Sequence, residues 1–386
     1  MREVFIAGVG MTPFGRFRDR TIEDLGRAAI LSALSDSGVS QNDVEVAYAG
    51  HARTGRLHQR ENGVGQLCCW SAGIREIPIA SVGNFCASGS TALRETWMAV
   101  GSGLYDIGLA LGVEQLSKRP EGGQPLTSDG MELEGELGFT PPAFFALAAQ
   151  RYMHTTGLDP KLLAQVAVKN RSHAALNPYA QYREPITVGE VLDSPMVADP
   201  LTRLSCCPTS DGAAAAILVS REGAERLGLD RLVRVLSSSL TSGGYRGDDI
   251  AHLDLDHRAA LAAYEMADVG PEDIDLAEVH DAFTISEVIH YEDLGFCPMW
   301  EGAAMIQAGD TAIGGRLPVS TSGGLLSRGH PLGATGVAQA FEVVTQLRGE
   351  AGPRQVDGAR IGLLHCVGGF ITSDAAASAV HILAAE

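Results

Sequence analysis

Gly38-Val39-Ser40-Gln41-Asn42-Asp43-Val44-Glu45-Val46-Ala47 and Asp268-Val269-Gly270-Pro271-Glu272-Asp273-Ile274-Asp275-Leu276-Ala277 are two versions of one local pattern. Each closes a helical stretch, turns through small and polar residues, and opens an apolar run. An aspartate falls at the same point in both, Asp43 and Asp273, an offset of 273 − 43 = 230. A helix that stops, turns and delivers a strand is the unit of an α/β fold. Its recurrence marks a chain built from two similar halves. These meet near residue 222, which gives expected domains 1–222 and 223–386. A looser parallel supports the division. Cys86 lies between an expected strand and a helix, followed by the strand that ends at Val113; His330 likewise is expected to follow a strand and precede a helix, followed by the strand Arg360–Leu364.

Outward from this repeat, strand and helix signals alternate. Val4–Val9, Val44–Ala49, Ile77–Val82, Ile107–Val113 and Ala213–Ser220 read as strands, the last two without a charged residue, as buried strands are. Thr21 can cap a helix reaching Ser35, with Ile22, Leu25, Ala29 and Leu34 near one face. Leu93, Trp97 and Val100 share a face of another helix. Residues 118–200 break the rhythm. They are richer in Pro, Gly and charge, with helical patches at Ala143–Met153 and Leu162–Ala174. They read as a loop insertion in the first half, where ligand contacts often lie.

The chain has 386 residues, with 47 Asp and Glu against 29 Lys and Arg, a formal charge of −18. That sign argues against nucleic acid or an anionic membrane as the main partner, because both require basic surface. An anionic small ligand must be met by a local basic patch. With 45% apolar and 20% charged residues the chain can fill a large core and is too apolar for disorder. No apolar run approaches the ~18 residues of a membrane span. The opening Met1-Arg2-Glu3-Val4-Phe5-Ile6 reads as a strand rather than a secretory leader. Seven cysteines without a C-x-x-C pair argue against a disulfide scaffold or zinc finger and for a reducing, cytoplasmic setting. No metal site is expected.

Four short stretches carry reactive side chains at expected strand ends. Ser81-Val82-Gly83-Asn84-Phe85-Cys86-Ala87-Ser88-Gly89-Ser90 delivers a thiol to a sharp turn that opens a helix, where free N–H groups and the helix dipole favour thiolate. Ser327-Arg328-Gly329-His330-Pro331-Leu332-Gly333 holds an imidazole on a rigid loop ahead of a helix, as a general base requires. Leu363-Leu364-His365-Cys366-Val367-Gly368-Gly369 reads as a strand ending in Cys, then two glycines whose N–H groups can make an oxyanion hole. Glu278-Val279-His280-Asp281-Ala282-Phe283 is a strand end carrying His and Asp. Singly, each has a structural reading: a buried thiol, a tight His loop, a Gly turn, a satisfied core histidine. Together they place two thiols, two imidazoles and two Gly-rich turns at carboxyl ends of strands, where open α/β sheets bind ligands. His with Cys is the pairing of covalent acyl transfer. Cys68, Cys69, Cys206, Cys207 and Cys297 read as structural thiols.

These residues resemble the thiolase superfamily, most closely its sterol-carrier-protein-type branch. Ala7-Gly8-Val9-Gly10-Met11-Thr12-Pro13-Phe14-Gly15-Arg16 looks like that branch's first strand and loop, Cys86-Ala87-Ser88-Gly89-Ser90 like its nucleophile motif, and His280-Asp281-Ala282-Phe283 like its His-Asp-x-Phe motif. Gly329-His330-Pro331-x-Gly333 is the most specific match, with Asp211-Gly212-Ala213-Ala214-Ala215 and Cys366-x-Gly368-Gly369 completing the set in the family's order. The resemblance implies a five-layered αβαβα sandwich of two similar halves with an inserted loop domain. It implies Cys86 as acylated nucleophile, His330 as its base, and Cys366 as the acid/base for the α-proton. His280 and His330 would hold the thioester oxygen, and the N–H groups of Cys86 and Gly368 the tetrahedral oxyanion. Coenzyme A and acyl-CoA enter as substrates, with no permanently bound cofactor. A homodimer or dimer of dimers is implied, and some members of the branch work with a small acyl-CoA-binding partner protein.

The implied activity is acyl-CoA C-acyl transfer in lipid or fatty acid metabolism, as 3-oxoacyl-CoA cleavage or the reverse condensation. Relatives that lack the cysteines suggest an aldolase on a steroid-type CoA thioester, against which Cys86 and Cys366 speak. A non-catalytic acyl-CoA or lipid-binding protein would keep the pocket without acyl transfer. A ketoacyl-synthase-type enzyme would lack Cys366. Pro141-Pro142-Ala143-Phe144-Phe145-Ala146-Leu147 is a candidate acyl-chain contact, and Lys118, Arg119, Lys161, Lys169 and Arg171 are candidates for facing the nucleotide of CoA.

Overall fold

The computed structural model describes residues 1–54, 62–118, 139–244, 249–371 and 374–386. In chain order it runs β1 (Val4–Met11), α1 (Ile22–Ser37), β2 (Val46–Gly50), α2 (Val64–Ser71), β3 (Ile79–Val82), α3 (Ser88–Gly101), β4 (Ile107–Gln115), α4 (Pro141–Thr156), α5 (Pro160–Ala175), α6 (Val188–Asp193), β5 (Met196–Ala198), β6 (Leu201–Thr202) and β7 (Asp211–Ser220). It continues with α7 (Arg221–Leu227), β8 (Val233–Ser242), α8 (Asp254–Ala267), β9 (Leu276–Glu278), α9 (Thr284–Asp293), α10 (Gly302–Ala308), α11 (Thr335–Leu347), β10 (Ile361–Ile371) and β11 (Asp374–Ala385).

The repeated turn folds alike in both places. Gly38 (φ 76°) and Asp268 (φ 56°) end α1 and α8 in the left-handed region, a conformation that glycine and aspartate tolerate best. The Ser40 N–H then donates to the Asp43 carboxylate (3.0 Å) and the Gly270 N–H to that of Asp273 (2.8 Å). A short 3₁₀ turn at Gln41–Asp43 and at Pro271–Asp273 follows, then β2 and β9.

The strand order is β3-β2-β4-β7-β1-β8-β11-β10-β9. Taken inward from either edge it repeats. β2 runs parallel to β3 and β4, and β4 and β7 then pair antiparallel, as do β7 and β1. On the other side β9 is parallel to β10 and bridges Val319 in parallel through Ala277, and the pairs β10–β11 and β11–β8 are antiparallel. Among the described residues the two sets of strands pair through Phe5↔Arg234 and Ile6↔Val233. Helix α1 covers β1 and β7 from outside, and α8 covers β8 and β11. Between the two sets lie α3 and α11, packed on each other, α3 against β4 and α11 against β10. This is the expected αβαβα layering. Strand β7 is buried at all ten positions because helices cover both its faces.

Two expectations are corrected. His330 does not follow a strand: the edge position reduces to the Ala277–Val319 bridge, and a π-type turn at Gly324–Arg328 leads into the histidine. Nor does the last strand end at Cys366, since β10 continues to Ile371 by pairing with β11.

Candidate active site

Cys86 sits in a turn that its own sequence makes tight. Phe85 has φ +50°, a conformation uncommon outside glycine and held only where the surroundings demand it. The Ala87 N–H donates to the Asn84 carbonyl (2.9 Å) and the Ser88 hydroxyl to the Phe85 carbonyl (2.6 Å). The turn presses on β10. A Cβ at Gly368 would stand 2.1 Å from the Asn84 oxygen, and one at Gly369 2.3 Å from the Phe85 ring. Gly369, at φ +57°, directs its N–H to the Cys86 sulfur. Gly369 thus helps to hold the resting sulfur, and the missing side chain of Gly368 lets the two segments touch.

The His330 loop is pinned from several sides. Its N–H donates to the Ser210 hydroxyl (3.0 Å), and Nδ1 lies 2.7 Å from the Thr335 oxygen. The Thr335 hydroxyl donates its own hydrogen to the Pro331 carbonyl (3.1 Å). It therefore accepts from Nδ1–H, which leaves Nε2 with a free lone pair, as a base needs. Asp281, next to His280, accepts from the N–H groups of Leu325 (2.7 Å) and Leu326 (3.3 Å) in the preceding turn. The HDAF and GHP motifs are thus tied through one carboxyl. Buried Glu114 at the end of β4 accepts from the N–H groups of Ala52 (2.9 Å), Thr54 (2.6 Å) and Gly333 (3.0 Å), joining the 51–54 loop to the His330 loop. Neither Glu114 nor Thr335 is marked by the sequence patterns, because their partners are remote or their role depends on a ring tautomer.

The structure brings the four expected side chains together. The Cys86 sulfur and one nitrogen each of His280 and His330 lie within 4.8 Å of one another. The two rings meet edge to face at 5.1 Å. The Cys366 sulfur lies 3.4 Å from His280 Nδ1 and 3.2 Å from the Cys86 carbonyl oxygen.

The electrostatics correct the expected thiolate. Burial pushes the Cys86 thiol up to about 12, although the Gly369 N–H pulls it the other way. Burial also raises Cys366 well above the usual thiol range, with the nearby Cys86 adding to it. Burial, then Arg328, hold His330 down at about 3, and burial, then the His330 ring, hold His280 well below its ordinary value. Desolvation outweighs the turn's N–H groups, so the site rests as two thiols and two neutral imidazoles. A nucleophile then has to be made by proton transfer within the site.

A cavity of about 840 Å³ opens onto Cys86, His280 and His330. Its walls include Pro141–Phe145 from the expected acyl-contact patch, together with Phe139, Phe283 and Phe370. Phe145 stacks on Phe283 at 4.8 Å, and Phe144 lies 4.3 Å from Phe370. Cys206 and Cys207 line it as well, which the reading of them as purely structural thiols missed. Among the described residues Arg53 is the arginine on its wall, which the sequence reading did not single out. Two expected nucleotide contacts face elsewhere. Lys169 pairs with buried Glu287 and donates to the Val319 carbonyl (2.9 Å), and Arg171 donates to Ser327 (3.1 Å) and lies over Tyr182. Lys118 donates to the Arg20 carbonyl, and Arg119 lies outside the described residues.

Comparison with known proteins agrees with this geometry. The family models "Thiolase, N-terminal domain" and "Thiolase C-terminal domain-like" match residues 4–222 and 246–384. The chain is 43% identical to an acetyl-CoA acetyltransferase of Methanothermobacter thermautotrophicus, covering 99% of each. It is 38% identical to sterol carrier protein 2 of Rattus norvegicus, over 95% of this chain and 70% of that protein. Among solved structures it is similar to an "Ltp2-ChsH2(DUF35) aldolase", with a TM-score of 0.83 at 27% identity, covering 99% of this chain and 98% of that one.

Proposed function

Because the chain belongs to the thiolase family, we propose that it is an acyl-CoA C-acyltransferase that cleaves a 3-oxoacyl-CoA with CoA, or condenses two acyl-CoAs, through an acyl-enzyme on Cys86. The observation that carries this reading is the convergence of Cys86, His280 and His330 at one cavity, with the buried Cys366 sulfur 3.4 Å from His280 Nδ1.

In the cleavage direction, His330 Nε2 takes the Cys86 proton and the thiolate attacks the C3 carbonyl. The N–H groups of Cys86 and Gly368 hold the resulting oxyanion. As it collapses, the C2–C3 bond breaks and its electron pair becomes the enolate of the departing acyl-CoA. Protonated His330 and His280 hold that enolate oxygen, and the Cys366 thiol gives its proton to C2. Incoming CoA gives its thiol proton to the Cys366 thiolate and attacks the Cys86 thioester. The released Cys86 thiolate regains its proton from His330. Each group ends as it began.

Supporting the wider reading, β3 is an edge strand four residues ahead of the nucleophile, with Ala80 and Ser81 exposed. An open edge is suited to pairing with a second copy as a homodimer. The seven free cysteines favour the cytoplasm; among the described residues no helix is long and apolar enough to cross a membrane. The division at residue 222 follows the repeated strand order. CoA is taken as substrate, and Arg53 is the cation placed to meet it. The aldolase similarity favours a second reading in which a small partner protein joins the chain; the two site cysteines favour Claisen chemistry. The test is thiolysis of acetoacetyl-CoA or a longer 3-oxoacyl-CoA, followed by loss of the enolate absorbance. Cys86→Ala should abolish turnover while leaving the melt unchanged, and turnover that survives it removes the proposal.

A further inference from the structure

Behind the strand that carries Cys366 lies a cluster of side chains that acyl transfer leaves unused. Asp256 on α8, His290 on α9 and His365 on β10 are each 0% exposed, so bulk water does not reach them. His365 Nε2 stands 3.1 Å from Asp256 Oδ1, and His290 Nδ1 stands 3.3 Å from Asp256 Oδ2. The two rings are 4.5 Å apart, and one donor atom from each of the three residues lies within 4.8 Å of the other two. Both contacts lie at ion-pair range and, against burial, lower the Asp256 carboxyl, yet by direction neither is a well-formed hydrogen bond. Both Asp256 oxygens and both nitrogens of each ring lack a hydrogen-bond partner.

A buried carboxylate between two buried imidazoles is costly unless something positive or hydrogen-bonding satisfies it. Donors that converge without pointing at one another are arranged as ligands around a common point. Ligand atoms held at ~2.1 Å by one tetrahedral ion stand about 3.4 Å from each other. The two measured separations, 3.1 Å to Oδ1 and 3.3 Å to Oδ2, lie close to that spacing, with each carboxylate oxygen facing one ring nitrogen. Two nitrogens and one oxygen suit zinc and its neighbours and not magnesium or calcium, which take oxygen ligands. A further carboxylate is close, with Asp293 Oδ2 4.0 Å from His290 Nδ1, and His252 Nδ1 lies 3.5 Å from Asp293 Oδ1.

We infer that Asp256, His290 and His365 form a site for a divalent transition-metal ion of the zinc or cobalt class, held by two imidazole nitrogens and the Asp256 carboxylate. It clamps α8 and α9 to β10 behind Cys366, and its part is structural. It is separate from Cys86, His280 and His330, which can also converge on a thiophilic ion, and it does not depend on the acyltransferase reading.

The test uses the full chain carrying Cys86→Ser and Cys366→Ser, so that neither site thiol can supply sulfur. The protein is stripped with a chelator, loaded with Zn²⁺ or Co²⁺ at neutral pH, and desalted. The expected result is about one ion per chain by elemental analysis and a thermal midpoint raised by a few degrees on loading. The cobalt form should show a visible spectrum without a sulfur-to-cobalt charge-transfer band. His290→Gln and Asp256→Asn should each lose the ion. Retention of less than roughly a tenth of an ion per chain after loading overturns the site whatever the variants do. Undiminished metal in folded His290→Gln and Asp256→Asn overturns it equally.

Discussion

Replacing Gly368 by alanine probes the contact on which the nucleophile's position depends. The added Cβ would stand 2.1 Å from the Asn84 carbonyl oxygen, 3.0 Å from Ala87 Cβ and 3.1 Å from the Ala87 nitrogen. Ordinary contact begins at 3.4 Å, so the Cys86 turn and β10 have to part by roughly 3.4 − 2.1 = 1.3 Å. Strand β10 is held between β9 and β11, and the obstacle is backbone rather than a flexible side chain. The turn yields, and the sulfur moves with it, away from His330 and Cys366. Overpacking of this kind costs about 1–3 kcal/mol, which leaves a folded protein. A misplacement of about 1 Å at reacting atoms costs on the order of a hundredfold in rate, or about 2.7 kcal/mol of transition-state stabilisation. Gly368→Ala should therefore show kcat/KM for acetoacetyl-CoA thiolysis about a hundredfold lower, with far-UV circular dichroism unchanged. A folded variant within about threefold of the parent refutes the reasoning.

Three further outcomes follow from the site. Because burial raises the Cys86 thiol to about 12, the thiolate fraction is small at neutral pH; alkylation of this residue by iodoacetamide should climb about tenfold per pH unit from pH 7 to 10, and a plateau within that window counts against the raised value. Thr335→Val leaves the His330 Nδ1–H, 2.7 Å from the lost oxygen, without its acceptor and frees the ring to take the other tautomer; the acylation burst should slow about tenfold with KM little changed, and an unaltered burst would show that Thr335 does not orient the base. Phe144→Ala empties the cavity wall beside Phe370 at a cost of about 3 kcal/mol in denaturant unfolding, and the ratio of kcat/KM for a bulky 3-oxoacyl-CoA over acetoacetyl-CoA should rise several-fold; a constant ratio means that this wall does not select the acyl group.

Much of the fold was legible because it is written in short-range bonds. The capped turns at Asp43 and Asp273 close within three residues, so they recur wherever the pattern recurs. The helix capped by Thr21 and the uncharged runs Ile107–Val113 of β4 and Ala213–Ser220 of β7 are likewise local or depend only on being buried. The motifs around Cys86, His280, His330 and Cys366 could be picked out by their glycines and by family resemblance. The pairing of β8 with β11 and the passage of β10 beyond Cys366 were not legible, because a strand's partner and its end are set by chains distant in sequence.

The amino-acid sequence alone determined two α/β halves and the four side chains that meet at the site, since helix ends, turns and apolar periodicity act over a few residues. Only the tertiary structure decided that the Gly369 N–H reaches the Cys86 sulfur, that Lys169 and Arg171 turn into internal contacts, that Arg53 lines the cavity, and that burial raises both thiols. Those outcomes depend on desolvation and on distances between residues as many as 280 positions apart, such as Cys86 and Cys366, and such quantities come into being only when the layers pack.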